Sequence, residues 1–212
     1  MISPGDLAVI LGLNLLGAAA PGPDIVLIAK TATKSRRHAL ATVCGIQTGV
    51  VLWCALTVFG AAALLNAFPG ALTGVQIVGG VVLAWLGVRS VRAGVIERRN
   101  PPLSLEEAER RLGTLRASYA RGLATNLANP KIVVALSAMI APLLPPHPSL
   151  ATAVVVTLAM WLSSFALFVA LALGMSTDAV RRRFLRAGPY IDIGAGLFFI
   201  GVGAALLLRG LA

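Results

Sequence analysis

The strongest constraint on this chain is a series of apolar runs, each long enough to cross a membrane. A membrane-spanning helix needs about 20 predominantly apolar residues. The chain has 212 residues, of which 58% are hydrophobic and 12% are charged, whereas a soluble domain is about 25% charged. We therefore predict an all-α integral membrane protein with six transmembrane helices. The runs lie near residues 6–29, 39–65, 71–94, 119–144, 149–174 and 188–209.

The connections between these runs alternate between basic and uncharged. Residues 30–38, 95–118 and 175–187 contain clusters of Lys and Arg, whereas residues 66–70 and 145–148 contain neither. Short basic connections stay in the cytoplasm, so we expect these three inside and both termini outside. The same clustering accounts for the net charge of +10 without nucleic acid as a partner.

The first apolar run resembles the core of a signal peptide. Signal peptides begin with a positively charged segment, but Met1 to Gly5 contain no Lys or Arg, and Asp6 is acidic. The run also continues beyond its Pro-Gly break as "IVLIA". We therefore expect a retained span.

The chain divides into two halves of three predicted spans each, residues 1–94 and 119–212, joined by residues 95–118. Because three is odd, the second half crosses the membrane in the opposite direction, as an inverted repeat. The first span of each half is interrupted at proline, by Pro21-Gly22-Pro23-Asp24 and by Asn129-Pro130-Lys131. Paired interruptions in inverted repeats indicate a transport site near the bilayer midplane. The third spans echo each other less strongly, through glycines seven residues apart at Gly80, Gly87, Gly194 and Gly201.

Two carboxylates, Asp24 and Asp192, lie within apolar spans, where a charge is costly and indicates function. Asp24 directly follows the first break and can carry a proton or accept a substrate ammonium; alternatively, it only caps the following half-helix. Asp192 is the second candidate for proton coupling. It lies in the first turn of its span after Gly188-Pro189, where an interaction with the helix dipole is the alternative explanation.

Lys131 is the corresponding charge of the second break. It can pair with Asp24 or bind a substrate carboxylate; alternatively, it extends to the membrane surface. Asn14 and Gln47 are expected to form helix–helix hydrogen bonds, and Lys30 to anchor the inner surface. The predicted substrate site consists of Pro21, Gly22, Pro23, Asp24, Asn129, Pro130 and Lys131.

The third connection carries a helix signal of its own. Ser104 and Glu107 form the S-x-x-E pattern of a capping box, and Leu105, Ala108 and Leu112 share one helical face. We expect a short amphipathic helix ending at Gly113; a disordered charged linker is the alternative.

These motifs resemble the LysE/RhtB family of bacterial amino-acid exporters. The resemblance depends on "PGPD" at the first break, on "KSRRHALATVCGIQTG" and on "ARGLATNLANPK" before the fourth run, and it covers nearly the whole chain. It implies a bacterial inner-membrane exporter of amino acids or similar small metabolites, driven by the proton gradient. Its partners would be the substrate, protons and lipid, and a homo-oligomer is compatible with it.

Two other functions compete with amino-acid export. A metal-cation exporter needs several carboxylate, His or Cys ligands, and the apolar runs offer two Asp and no His. A thiol–disulfide membrane redox protein needs two thiols that meet, but Cys44 and Cys54 are ten residues apart on one predicted helix, about 15 Å of rise. No nucleophile–base–acid set indicates an enzyme, and no metal or other cofactor is expected.

Overall fold

The computed structural model describes residues 3–20, 22–56, 69–99, 104–129, 132, 149–184 and 187–211. Every regular element in these residues is an α-helix, as predicted. The helices are α1 (Pro4–Ala19), α2 (Pro23–Ala32), α3 (Arg36–Leu56), α4 (Pro69–Arg99), α5 (Leu105–Arg110), α6 (Leu115–Leu127), α7 (Leu150–Met175), α8 (Asp178–Phe184) and α9 (Gly188–Leu211).

Four helices in the described residues, α3, α4, α7 and α9, are long and apolar enough to cross a membrane. The pair α1 and α2 makes a fifth span if it is counted as one, with a bend of 61° between the two helices. The predicted span at 119–144 begins in α6 and continues outside the described residues. The count of six spans and the inverted repeat therefore remain predictions.

Side-chain caps set where several helices begin. Ser3, Ser104, Thr114 and Ser149 each accept a hydrogen bond from the backbone N–H three residues later, at 3.1–3.2 Å, which satisfies an otherwise unpaired donor.

The amphipathic helix predicted in the third connection is confirmed as α5, with Ala108 and the following Leu112 buried. The alternative of a disordered linker was wrong. Regular helix ends at Arg110, and a turn follows to Gly113, whose φ of +83° favours glycine. The fifth connection contains a further short helix, α8, that we did not predict.

The most extensive helix pair, α4 with α9, packs along a seam of glycines. A Cβ on Gly87 would lie 2.6 Å from Gly196 O, and a Cβ on Gly80 would lie 2.9 Å from Gly203 O. Small residues let helix backbones approach closely where lipid supplies no hydrophobic drive. The glycines of the sequence echo in α9 lie outside this seam, because a Cβ on Gly194 or Gly201 would meet nothing within 4 Å.

Helix α2 lies between two groups of helices. Its Ile28 and Ala32 are fully buried in an apolar core shared with α1, α3 and α7. Its Leu27 packs on Leu86 of α4 and Phe199 of α9. The second half of the broken span therefore connects the α4–α9 pair to the rest of the bundle.

Candidate functional site

The first span breaks where the sequence predicted. Helix α1 ends at Ala19, and α2 begins at Pro23 with Gly22 as its N-cap in an extended conformation. Proline suits the first helical position because its missing N–H would have no intrahelical acceptor there. Gly22, Pro23 and Asp24 are buried, whereas Pro21 lies outside the described residues.

The second break lies across from the first. Helix α6 ends at Leu127, Ala128 is its C-cap, and Asn129 follows immediately before Pro130. This agrees with the tendency of helices to end before the residue that precedes a proline. Pro130 and Lys131 lie outside the described residues, so the predicted role of Lys131 is untested.

The side chain of Asp24 joins the two breaks. Its Oδ2 accepts hydrogen bonds from Asn126 Nδ2 at 3.1 Å and from Asn129 Nδ2 at 3.4 Å. All three side chains are buried, with exposed fractions of 5%, 0% and 1%. Asn126, which the sequence analysis did not include in the predicted site, is the nearer amide partner.

Close helix packing holds this junction in place. A Cβ on Gly49 of α3 would overlap Asn126 Oδ1, and a Cβ on Gly79 of α4 would lie 2.5 Å from Ala128 O. Helix α6 also packs closely on α3 at Gly45 and Gly122, where added Cβ atoms would overlap backbone carbonyls. The end of α6 therefore has little freedom to move away from Asp24 without separating these helices.

Two further buried polar atoms lie near the C-terminal end of α6. Among the described residues, Asn126 Oδ1 and Thr125 Oγ1 are buried and have no hydrogen-bond partner. A buried polar atom without a partner costs free energy. Both atoms are able to accept a hydrogen bond, and Asn126 Oδ1 belongs to the side chain that holds Asp24.

Asp192 belongs to a different cluster. Its Oδ2 lies 2.6 Å from Lys34 Nζ, and its Oδ1 lies 3.2 Å from Lys30 Nζ. Lys34 Nζ also contacts Glu97 Oε2 at 2.7 Å. Lys30, expected to anchor the inner surface, donates a hydrogen bond to Ser90 Oγ at 2.7 Å, and its side chain is largely buried.

Sequence reasoning did not identify Lys30 and Lys34 as partners of Asp192, or Glu97 as a partner of Lys34. The available signal was the spacing of four residues between Lys30 and Lys34, which places both on one face of a helix. We interpreted these lysines as part of a cytoplasmic connection, because basic residues near the end of a span are expected there in any case.

The expected helix–helix hydrogen bonds are confirmed. Asn14 Nδ2 donates to Met160 O at 2.9 Å and to Ser163 Oγ at 3.0 Å. Gln47 Nε2 donates to Ser164 Oγ at 3.2 Å. These amides fasten α1 and α3 to α7 and are not available to a ligand in this arrangement.

Metal-cation export and thiol–disulfide exchange each require a particular set of side chains to come together. In the described part of the chain, no three His, Cys, Asp or Glu side chains come together in a group that could hold a metal ion. Cys44 and Cys54 lie on the single helix α3 as free thiols, one exposed and one buried.

Comparisons with known proteins agree with a transporter. The model of a family described as LysE type translocator matches residues 15–210. The threonine efflux protein of Salmonella typhi is 26% identical over 197 residues, which covers 92% of this chain and 94% of that protein. The threonine efflux protein of Escherichia coli is 26% identical over 204 residues, with the same coverage. An uncharacterized membrane protein of Haemophilus influenzae is 26% identical over 200 residues, 94% of each chain. No solved structure matches.

Proposed function

Because this chain belongs to the LysE type translocator family, we propose that it is a secondary exporter of amino acids or closely related small metabolites, operating by proton antiport. Its several long apolar helices make it a multi-pass membrane protein. Threonine is the first substrate to test, since two relatives are named threonine efflux proteins.

One observation carries the proposal: a buried carboxylate, Asp24, lies at the break of the first span and binds the amides that flank the second break. Broken backbone within a membrane is tolerated only where it is enclosed by protein or lines a cavity. A carboxylate at such a junction can bind a proton in one half of the cycle and a substrate ammonium in the other.

The remaining site residues take roles that follow from their chemistry. Asn126 and Asn129 hold the carboxylate with hydrogen bonds, and Asn126 Oδ1 with Thr125 Oγ1 adds acceptors for the ammonium. Lys131 would bind the substrate carboxylate. Pro21, Gly22, Pro23 and Pro130 would keep the two spans interrupted at the site, and Asp192 is the second candidate for proton coupling.

The energetics favour exchange of a proton for a zwitterion. Moving one net charge through a membrane potential of about 100 mV supplies about 2.3 kcal/mol. That free energy corresponds to a concentration ratio of about fiftyfold before any pH difference is added.

The orientation that we propose places the basic connections in the cytoplasm of a bacterium and the site in its inner membrane. The three predicted cytoplasmic connections meet at one end of the bundle, because Arg181 contacts Lys34 O at 2.7 Å and Glu109 at 4.0 Å. This supports a common side for all three.

Reconstitution tests the proposal directly. Transport by a proton antiporter is reversible, so vesicles with an acidic interior should accumulate labelled threonine transiently above the external concentration, and a protonophore should abolish the accumulation. Protein-free vesicles are the control. The other standard amino acids would be ranked by ligand-induced thermal stabilisation, which follows from selective binding to the folded state. If no amino acid is taken up or raises the melting temperature, the proposal is wrong, and divalent cations are then tested in the same vesicles.

A further inference from the structure

Helix α2 also buries a second polar cluster, at the end opposite Asp24. We propose that Lys30, Lys34, Glu97 and Asp192 form a gate that closes the end of the bundle carrying the three basic connections. The inference rests on the proposed transport function, because a gate has a purpose only where a substrate must pass. It assigns these four residues to access rather than to substrate binding.

The cluster joins α2 to both helices of the α4–α9 pair. Lys34 Nζ, just beyond the end of α2, donates to Glu97 Oε2 of α4 at 2.7 Å and to Asp192 Oδ2 of α9 at 2.6 Å. Lys30 lies one turn earlier and pairs with Asp192 Oδ1 at 3.2 Å. Two cations and two anions therefore balance each other in a buried layer.

Ser90 of α4 links Lys30 of α2 to the backbone of α9. Its hydroxyl receives the hydrogen bond from Lys30 Nζ and donates to the backbone oxygen of Asp192, both at 2.7 Å. The α4–α9 seam continues beside it, since a Cβ on Gly94 would lie 2.6 Å from Pro189 O. The α4–α9 side of the cluster is thus rigid, and α2 is the element that must move if the ion pairs separate.

A second layer covers the same end. Ser35 Oγ donates to Glu109 Oε1 of α5 at 2.7 Å, and Arg181 Nη2 of α8 donates to the Lys34 carbonyl at 2.7 Å. The two short helices that lie outside the apolar runs are thus bonded to the α2–α3 turn. Motion of this turn would carry α5 and α8 with it, which gives the gate a cytoplasmic cover.

The position of the cluster relative to Asp24 defines what it closes. Asp24 and Lys34 are ten residues apart along α2 and the turn that follows it, about 15 Å by helical rise. The N-terminal end of α2 is bonded to α6 through Asp24, and its C-terminal end is bonded to α4 and α9 through the lysines. A path from the site to this end of the bundle runs past the lysines.

Ion pairs suit a gate better than apolar packing does. The attraction of buried ions is largely offset by the loss of their hydration, so separating them into water costs little net free energy. Removing only one partner is different, because it leaves an uncompensated buried charge. The cluster should therefore open in the wild type without unfolding, whereas a variant lacking one lysine should remain open.

Thiol labelling tests this prediction without any substrate. The reporter thiol is introduced by Thr31→Cys, at a buried position on the same face of α2 as Asp24, in a Cys44→Ala background that keeps buried Cys54 as an internal reference. A membrane-impermeant reagent is applied from each side, and labelled peptides are quantified by mass spectrometry.

Lys34→Met should raise the labelling rate of the reporter thiol on the order of tenfold or more, from one side only. Ser104→Cys, at an exposed position of the third connection, identifies that side, because the reagent should label both thiols from the same side.

Two further variants separate a gate from general loosening. Lys34→Glu with Glu97→Lys keeps the net charge, the ion pair between positions 34 and 97 and the pair of Lys30 with Asp192. It also places a carboxylate beside Asp192, so it should restore only part of the protection. Arg110→Met removes an exposed ion pair with Glu106 and should leave the labelling rate unchanged.

Equal labelling in Lys34→Met and its background, or a parallel rise at Cys54, would overturn the gate. If threonine is not transported but the labelling rate still depends on Lys34, the proposed substrate class is wrong and the gate is supported.

Discussion

The two ends of α2 bury charge in different ways. At the N-terminal end, the described partners of Asp24 are the amides of Asn126 and Asn129, which donate hydrogen bonds and carry no charge. At the C-terminal end, Lys30 and Lys34 face two carboxylates. Neutral amides can hold Asp24 while the cation or proton bound to it is exchanged. In the cluster of Lys30, Lys34, Glu97 and Asp192, the positive and negative charges already compensate each other. The first arrangement suits binding and the second suits closure.

Packing differs between the same two ends. Next to Asp24, a Cβ on Gly49 would overlap Asn126, so Asn126 is packed closely against α3. Next to the lysines, a Cβ on Gly188 would lie 3.5 Å from Glu97 Oε1 and 3.7 Å from Lys34 Cε, which is ordinary contact. Asn126, which holds Asp24, therefore has less room to shift than the side chains of Lys34 and Glu97 beside Gly188. Substitutions that act on one end of α2 and not on the other test this difference.

Asp24→Asn should abolish proton-coupled accumulation, with a loss on the order of a hundredfold or more. The amide keeps the size and hydrogen bonding of the carboxyl group but cannot release a proton. The measurement is threonine uptake into vesicles with an acidic interior, and Asp6→Asn, at an exposed position of α1, is the matched control. Uphill uptake near the wild-type rate would mean that Asp24 only caps α2, and Asp192 would become the first candidate for the proton site.

Gly49→Ala and Gly188→Ala compare the packing of the two ends with the same added methyl group. Overpacking typically costs about 1–3 kcal/mol, so Gly49→Ala should lower the melting temperature and impair threonine transport by displacing Asn126. Gly188→Ala should leave both nearly unchanged. The melting temperature in detergent and the initial uptake rate distinguish the two variants. Equal tolerance at both positions would remove the packing half of the comparison.

Asn126→Ala and Asn129→Ala rank the two amides that hold Asp24. A hydrogen bond to a charged group contributes about 1.5–3 kcal/mol, so Asn126→Ala should raise the threonine concentration for half-maximal uptake about tenfold or more. Asn129 donates at 3.4 Å against 3.1 Å for Asn126, so its removal should have a smaller effect. A larger effect at Asn129 would show that the geometry at Asp24 changes when substrate binds.

Local chemistry explains what the sequence predicted correctly at the site. Proline at 23 begins a helix because its ring fixes φ and it lacks an N–H, so the first break needed no knowledge of the fold. Asn129 was identified for the same reason, by the proline that follows it. The buried carboxylate was recognisable because an apolar run rarely contains an acid without a function.

The remaining features depend on register, which the sequence does not contain. A spacing of seven marks one helix face but not the partner residue, so the repeat of Gly194 and Gly201 did not reveal that Gly196 and Gly203 contact α4. Glu97 was assigned to a connection, but α4 continues to Arg99 and brings it to Lys34. The two carboxylates that contact Lys34 lie 63 and 158 residues away in sequence, where only helix packing decides which charges meet.

The smallest effect is expected at the two cysteines, which lie at neither end of α2. Cys54 is buried in the core shared by α1, α2, α3 and α7, and Cys44 is exposed on the same helix. Replacing both with Ala removes one buried sulfur atom, which should cost about 1 kcal/mol of stability, and should leave threonine uptake within about twofold of the wild type, since a packing loss far from the site changes few functional contacts. The unfolding midpoint and the uptake rate are measured on the same preparation. Complete loss of transport in a folded double variant would instead favour thiol chemistry, and the comparison between the ends of α2 would then no longer describe the active part of the molecule.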